Sequence, residues 1–183
     1  KGSGTRKPVD PSRLFSRFAK SPKVYVGRIA GHCVAGGMGL AAAMDISIAV
    51  DDAKFGFTET RIGVAPAMIS VVCLPKMRRA DASAAYLRGN RFLAPEAVRL
   101  GLINQAVPAH ELDAAVDAVV SDVLACGPGA LAAAKQLLAQ VPDMPVDEAF
   151  AWTGELSASL FRSDEAKEGM QAFLDKRPPP WAR

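Results

Sequence analysis

The chain has little cysteine, few aromatic residues and no strong excess of charge of either sign. Its 183 residues include three cysteines, Cys33, Cys73 and Cys126, which are scattered and form no CxxC pair. Such a pattern argues against a disulfide framework and favours reduced thiols. No apolar run reaches membrane-spanning length without a charge or a helix breaker, and no secretory signal opens the sequence. These absences favour a cytoplasmic protein with no membrane as a partner.

The charge balance also gives little reason to expect a nucleic-acid partner. Lysine and arginine total 22 against 19 acidic residues, so the net charge is only +3. Nucleic-acid binding domains carry a larger and more clustered positive charge. Half of the residues are hydrophobic, which is enough for an ordinary core.

The order of apolar runs and breakers predicts an α/β front half and a helical rear. A buried strand over 23–29 leads through the glycine-rich stretch 31–39 into a short helix, and Ile46–Val50 follows as a second strand. Helices are predicted over 65–73, 81–88 and 94–101, with a strand over 102–107. The rear reads as helices over 110–125, 129–140 and 146–161 and a last helix that Ser163 caps.

The stretch Gly31–Gly39 is the most informative part of the sequence. A strand, a glycine turn and a helix leave backbone N–H groups pointing outward at the positive end of the helix dipole, where they can bind an anion. The anion could be a dinucleotide phosphate, because residues 37–42 match GxGxxA, but the next strand begins after only about two helical turns. An oxyanion formed during a reaction is the favoured interpretation, and a purely structural turn is the alternative.

Glu59 is the carboxylate that gives this turn a chemical meaning. It lies between two threonines after the piece Phe55-Gly56-Phe57. On its own it could be a surface glutamate on a loop. Combined with backbone donors that stabilise an enolate, it becomes a candidate general acid/base for chemistry beside a thioester carbonyl.

At this point the sequence resembles the enoyl-CoA hydratase/isomerase, or crotonase, family from about Ser21 to the C-terminus. The residues that carry the resemblance are 29–40 (IAGHCVAGGMGL), 44–46 (MDI), 55–66 (FGFTETRIGVAP), 87–89 (LRG), 97–102 and 163–177 (SDEAKEGMQAFLDKR). The order and spacing of these pieces together are typical of that family. The resemblance implies a ββα spiral core followed by a C-terminal helical trimerisation region.

The resemblance also implies roles for individual residues. Gly36 matches a backbone oxyanion donor for the acyl-CoA thioester oxygen, and Glu59 matches the second of the two catalytic glutamates. Gly39 falls where the two-glutamate hydratases carry their first, which makes the chain similar to single-glutamate members such as methylglutaconyl-CoA-type hydratases. Substrate- or CoA-binding positions carried over in the same way are Gly37, Gly39, Pro66, Phe173 and Lys176, the last two reaching the CoA of a neighbouring subunit.

The expected activity is therefore the addition of water to a 2-enoyl-CoA. The family is cofactor-free apart from the coenzyme A of the substrate and forms trimers or dimers of trimers. Isomerisation of a 3-enoyl-CoA and a catalytically silent assembly subunit are the alternatives. Members of the family carry further core strands and the first oxyanion donor upstream of the part that this chain resembles. We therefore expect a partial spiral core over 1–107 and a helical oligomerisation region over 108–183.

His32 and Cys33 are next to each other but do not suggest a Cys–His pair. Adjacent residues of an extended chain point to opposite sides. A packing or supporting role for His32 is the favoured interpretation.

Overall fold

The computed structural model describes residues 10–182, and these fall into two compact units. Within the described residues, the first unit comprises residues 10–20 and 25–115, and the second comprises residues 21–24 and 116–182. The division predicted after residue 107 lies eight residues before this boundary, and the short segment 21–24, predicted in the front half, groups with the second unit. Helix α6 (Leu112–Leu124) begins in the first unit, where Leu112 is buried, so the boundary falls inside the helix.

Six short strands of the first unit form two three-stranded sheets, with the orders β1-β3-β6 and β2-β4-β5. The strands are β1 (Val26–Ile29), β2 (Cys33–Val34), β3 (Ile46–Val50), β4 (Lys54–Gly56), β5 (Phe92–Leu93) and β6 (Gln105–Val107). The chain alternates between the sheets from β1 to β4, so that each pair of strands and the helix beside it makes one turn of a ββα spiral.

Register explains why a short helix suffices between strands. Strand β1 pairs in parallel with β3, Val26 opposite Ile46, and β2 pairs in parallel with β4, Cys33 opposite Phe55. Each parallel crossover therefore takes in a strand of the other sheet, which supplies the length that a parallel connection needs. The structure differs from the prediction here, because strand β2 lies inside the stretch predicted as a glycine turn. Through its pairing with β4, strand β2 becomes part of the second sheet.

Five helices belong wholly to the first unit, and they cover a core centred on β3 and β4. They are α1 (Pro11–Lys20), α2 (Gly36–Ala43), α3 (Ala67–Cys73), α4 (Arg79–Arg88) and α5 (Ala94–Arg99). Ile48, Phe55 and Phe57 are fully buried at its centre. Short 3₁₀ segments lie at Thr58–Ile62, Leu74–Lys76 and Ala109–Glu111.

All regular elements of the described part of the second unit are helices, as the sequence predicts. Beyond α6 it contains α7 (Pro128–Gln140), a 3₁₀ turn (Val141–Asp143), α8 (Val146–Phe161) and α9 (Asp164–Leu174). The predicted cap of α9 is confirmed, because Ser163 Oγ accepts a hydrogen bond from the Ala166 N–H at 3.1 Å. The α/β front and the helical rear are therefore both confirmed.

Within residues 10–182, no single helix is long and apolar enough to cross a membrane. The bent pair Ala109–Leu124 and Pro128–Asp143 passes that test together, on length and composition alone.

Candidate active site

The turn before α2 has an unusual backbone at Ala35. This residue has φ 50° and ψ −124°, a region that non-glycine residues rarely adopt. Its N–H donates to Gly56 O at 3.3 Å, so strand β4 holds the strained residue in place. The change of direction at Ala35 starts α2 at once, and the N–H of Gly36 is the first of the helix, with no partner inside it.

The space around Gly36 is open. Gly36 is exposed, and a Cβ placed on it would meet no atom within 4 Å. Its N–H lies at the positive end of the α2 dipole, so a partly negative oxygen would be stabilised there. The structure therefore allows Gly36 the donor role that the family resemblance implies, and that role stays a prediction.

Glu59 lies in the first turn of the 3₁₀ segment Thr58–Ile62, directly after the fully buried Phe57. It is half-buried and lines an open cavity of about 570 Å³. The other lining residues are Ala35, Thr58, Arg61, Ile62, Gly89 and Arg91. The fold thus brings the glycine turn and Glu59 to one cavity, although they are distant in sequence.

One oxygen of the Glu59 carboxylate is shielded from solvent. Its Oε2 atom is buried and has no hydrogen-bond partner among the described residues. Because a buried acceptor without a partner is costly, this orientation needs an explanation. A carboxylate with one face inside the protein and a place on a cavity wall is suited to exchanging protons with a bound molecule.

Cys73 of α3 and Tyr86 of α4 lie on the buried side of Glu59. Burial raises the pKa of the Cys73 thiol to about 12, with a smaller contribution from Glu59. Burial also raises the pKa of the Tyr86 hydroxyl, again with the nearby thiol and carboxylate adding to it. Both groups are therefore neutral near pH 7, and neither could act as a base beside Glu59.

Gly39 does not face the Glu59 cavity. It is buried, and a Cβ on it would clash with Ile69 of α3 and lie 2.9 Å from Phe15 Cζ of α1. A carboxylate at this position has no room, because α2 packs here against two other helices. The place predicted for substrate binding, and for the absent first glutamate, is thus a packing contact in this chain.

Gly37 lies on a different surface from Glu59. A Cβ on Gly37 would lie 3.7 Å from Cys33 Sγ, and the residue lines a separate groove of about 540 Å³ along β1 and α2. Pro66 is buried directly before α3. Their predicted substrate contacts remain predictions.

Phe173 and Lys176 belong to the second unit and both are exposed. Phe173 is 83% exposed, and the N–H of Lys176 donates to Phe173 O at 3.2 Å where the chain leaves α9. Lys176 has φ 53°, so the backbone turns sharply there. The exposure of both side chains fits the contacts that the family resemblance implies, which stay predictions.

His32 has a structural hydrogen bond in place of a catalytic partner. Its Nδ1 accepts from the Lys54 N–H at 3.2 Å, and Cys33 Sγ donates to Gly37 O at 3.5 Å. The first bond ties the residue before β2 to the start of β4, in keeping with the supporting role expected for His32.

Sequence reasoning missed Ala35, Cys73 and Tyr86. Nothing in the sequence indicates the positive φ of Ala35. For Tyr86 a weak signal exists, because it stands four residues after the buried Ala82 on an alanine-rich helix and so lies on the same face. Among the described residues, no cluster of three or more His, Cys, Asp or Glu side chains could hold a metal ion.

Two known proteins with sequences similar to this chain are both named for reactions of CoA thioesters. A Thermus thermophilus protein assigned as an enoyl-CoA hydratase is 34% identical over 167 residues, which are 91% of this chain and 66% of that protein. The carnitinyl-CoA dehydratase of Salmonella typhi is 32% identical over 164 residues, 87% of this chain and 63% of that enzyme. The chain thus spans slightly less than two thirds of these curated relatives.

A solved structure and a family model agree with this result. The crystal structure of an enoyl-CoA hydratase from Mycobacterium smegmatis superposes with a TM-score of 0.84 at 27% identity, covering 100% of this chain and 74% of that one. The model of the enoyl-CoA hydratase/isomerase family matches residues 4–183. The resemblance read from the sequence is confirmed, and the chain belongs to the enoyl-CoA hydratase/isomerase family.

Proposed function

We propose that the protein adds water across the double bond of a 2-enoyl-CoA thioester. The observation that carries this proposal is the shared cavity of Glu59 and Ala35, the residue directly before the Gly36 N–H. One wall offers a carboxylate and the adjoining turn offers backbone donors at a helix start. These are the two functions that addition of water beside a thioester requires.

Each group has a defined part in the proposed reaction. The thioester oxygen accepts a hydrogen bond from the Gly36 N–H, which stabilises the negative charge that develops on that oxygen. Glu59 takes a proton from water as the water oxygen bonds to the β-carbon, and an enolate forms. Glu59 then returns the proton to the α-carbon, which restores the carboxylate and gives the 3-hydroxyacyl thioester.

Isomerisation of a 3-enoyl-CoA is the second candidate, and the packing at Gly39 favours it. This chain cannot hydrate a substrate with two carboxylates, because there is no space for a side chain at Gly39. A single carboxylate is sufficient to move one proton from the α-carbon to the γ-carbon. The third possibility, a catalytically silent assembly subunit, is kept as an outcome of the test below.

The proposal extends to assembly and surroundings. We propose a homotrimer or a dimer of trimers in which Phe173 and Lys176 contact the coenzyme A of a neighbouring subunit, and Gly37 and Pro66 contact the substrate within the subunit. The strong exposure of Phe173 supports a covering partner. The reaction as written needs no cofactor beyond the coenzyme A of the substrate, and the low cysteine content fits a cytoplasmic protein.

The deciding experiment offers the protein a 2-enoyl-CoA and, separately, a 3-enoyl-CoA. Loss of the conjugated double bond with incorporation of water supports hydration. Conversion of only the 3-enoyl substrate would replace hydration by isomerisation. No conversion of either substrate, together with trimer formation, would identify an assembly subunit.

Replacing Glu59 by Gln tests the role of the carboxylate. The variant keeps the shape of the side chain but cannot carry the proton, so we expect turnover to fall by roughly 100-fold or more. Glu155→Gln, an exposed glutamate of α8, is the matched control and should keep wild-type turnover. Equal rates for Glu59→Gln and the wild type would remove Glu59 from the mechanism.

Sedimentation tests the assembly. We expect a trimer or hexamer that Phe173→Ala weakens, because the exposed ring would be part of the contact. A wild-type monomer at micromolar concentration would contradict the proposed role of Phe173 and Lys176.

A further inference from the structure

Two buried polar atoms of the first unit have no hydrogen-bond partner among the described residues. They are Glu59 Oε2 and the Tyr86 hydroxyl oxygen. One is an acceptor when the carboxyl group is ionised, and the other can donate a proton. Since unpaired buried polar atoms are rare and costly, two in one place with complementary chemistry call for a common explanation.

The packing places these atoms in one neighbourhood. The Tyr86 ring stacks against Phe57, with ring centroids 4.0 Å apart and an interplanar angle of 30°. Phe57 stands two residues before Glu59, so this contact fixes Tyr86 beside the start of the 3₁₀ segment. At the end of α4, Gly89 has φ 55° and approaches Thr60 so closely that a Cβ would clash with the threonine hydroxyl.

Charge and hydrogen bonding leave Tyr86 as the strongest donor on the buried side. Glu59 acts electrostatically on the Tyr86 hydroxyl and on the Cys73 thiol. The thiol also interacts with the Tyr86 hydroxyl, but sulfur is only a weak acceptor, and Cys73 Sγ donates its own proton to Met38 O at 3.8 Å. Arg61 and Arg91, the other charged groups around Glu59, line the open cavity.

We propose that Tyr86 is a positioning residue for Glu59, its hydroxyl donating to one buried water that in turn donates to Oε2. The bridge fixes the carboxylate on its buried side and leaves the other oxygen for the substrate. The catalytic part of this inference rests on the proposed function, because it assumes that Glu59 moves the proton. The pairing itself depends only on the two side chains and the water between them.

The proposal has a consequence for the two kinetic constants. A carboxylate that loses its buried contact is held less firmly in the orientation that proton transfer needs, while the contacts that bind the substrate stay in place. Loss of the Tyr86 hydroxyl should therefore lower kcat and leave KM nearly unchanged.

The test compares Tyr86→Phe with the wild type and with Tyr25→Phe. The phenylalanine keeps the ring that packs on Phe57 and removes only the hydroxyl. We expect kcat near neutral pH to fall by about 10-fold, with KM nearly unchanged. Tyr25→Phe removes the chain's other tyrosine hydroxyl and should leave both constants in place. An unchanged kcat in Tyr86→Phe would refute the positioning role, even if stability fell.

A double-mutant cycle keeps the test independent of activity. The urea unfolding midpoints of wild type, Glu59→Gln, Tyr86→Phe and the double variant are measured at pH 7. We expect Tyr86→Phe to lower the midpoint less in the Glu59→Gln background than in the wild type, because the charged acceptor is gone. Fully additive effects would overturn the pairing.

The two proposals therefore fail in different ways. Unchanged turnover in Glu59→Gln together with a coupled cycle would remove the proposed function and keep the Tyr86–Glu59 pair. A large loss in Glu59→Gln with an unchanged kcat in Tyr86→Phe would keep the function and remove the positioning role.

Discussion

The two units of the chain differ in how they bury their apolar residues. The first unit has a core of its own, in which Ile48, Phe55 and Phe57 are completely shielded from solvent. In the described part of the second unit, the buried apolar side chains are Ala133 and Ala172 alone. The first unit therefore has the packing of an independent domain, whereas the helices of the second expose surface that a small alanine contact cannot cover.

This contrast indicates a different task for each unit. The first unit places the cavity of Glu59 on a rigid sheet framework, where a strained backbone at Ala35 can be held by β4. Helices α8 and α9 carry large exposed apolar side chains, which are Val146, Phe150, Phe161, Met170, Phe173 and Leu174. Large exposed apolar side chains in such number are typical of a helix face that a partner covers, and they are the physical basis for the oligomer proposed above.

Thiol reactivity should show the largest difference between the units. Cys73 is fully buried in the first unit and its pKa is raised to about 12, so its thiolate fraction at pH 8 is roughly one part in 10⁴. Cys126 in the second unit is exposed. We expect iodoacetamide at pH 8 to modify Cys126 at least about 100-fold faster than Cys73, measured by mass spectrometry of the modified peptides.

Cys33 provides an internal check on this ordering. It is half-buried, and burial raises the pKa of its thiol, so its modification should be slower than that of Cys126. Addition of urea removes the burial and should bring the three rates together. Comparable native rates for Cys73 and Cys126 would show that the core of the first unit is not closed.

The same substitution should have opposite effects in the two units. Gly39→Ala places a methyl group against Ile69 and Phe15, which overpacks the α2–α3 contact and should destabilise the protein by about 1–3 kcal/mol. Gly154 lies in α8, where an added Cβ would meet no atom within 4 Å. Gly154→Ala should therefore stabilise the protein by about 0.5–1 kcal/mol through helix propensity. Urea unfolding followed by circular dichroism measures both values.

The two glycine substitutions also test whether packing explains why the first glutamate is absent at position 39. If Gly39→Ala were as stable as the wild type, the helices could yield at that position, and a carboxylate there would no longer be excluded on steric grounds. A destabilising Gly154→Ala would instead show that another surface already covers α8.

Local signals made the helices and the longer strands predictable. The cap at Ser163 and the strand Ile46–Val50 follow from residues within a few positions of each other, and the structure has both. Strand β2 was not predictable, because two residues are too short for any periodicity and the strand exists only through its pairing with β4. The strand predicted over 102–107 is shorter in the structure and begins at Gln105. Leu102 lies outside it, because the Leu102 N–H donates to Ala97 O at the end of α5.

The candidate site was predictable only in part, for the same reason. Glu59 could be found from its neighbours in the sequence and from the family resemblance. Tyr86 could not, because its position beside Glu59 depends on the stacking of its ring on Phe57 and on the close approach at Gly89. The packing of Gly39 likewise depends on where α1 and α3 lie, which no local pattern reports.

A further effect is expected within the second unit, at the start of α7. Glu165 of α9 accepts hydrogen bonds from the Gly129 N–H at 2.9 Å and the Ala130 N–H at 2.8 Å. This carboxylate satisfies two free donors of α7 and lies at the positive end of its dipole. Because this unit has few buried apolar side chains, we expect such a polar contact to contribute to holding α9 against α7.

Glu165→Ala should therefore lower the free energy of unfolding by about 1–2 kcal/mol, measured by urea unfolding. Glu165→Gln keeps one acceptor oxygen but loses the charge, and we expect roughly half of that loss. Glu155→Ala removes an exposed glutamate of α8 and should change stability by less than about 0.5 kcal/mol. If Glu165→Ala and Glu155→Ala had equal effects, polar capping would not hold the second unit together, and its stability would have to come from apolar contacts made by its exposed faces.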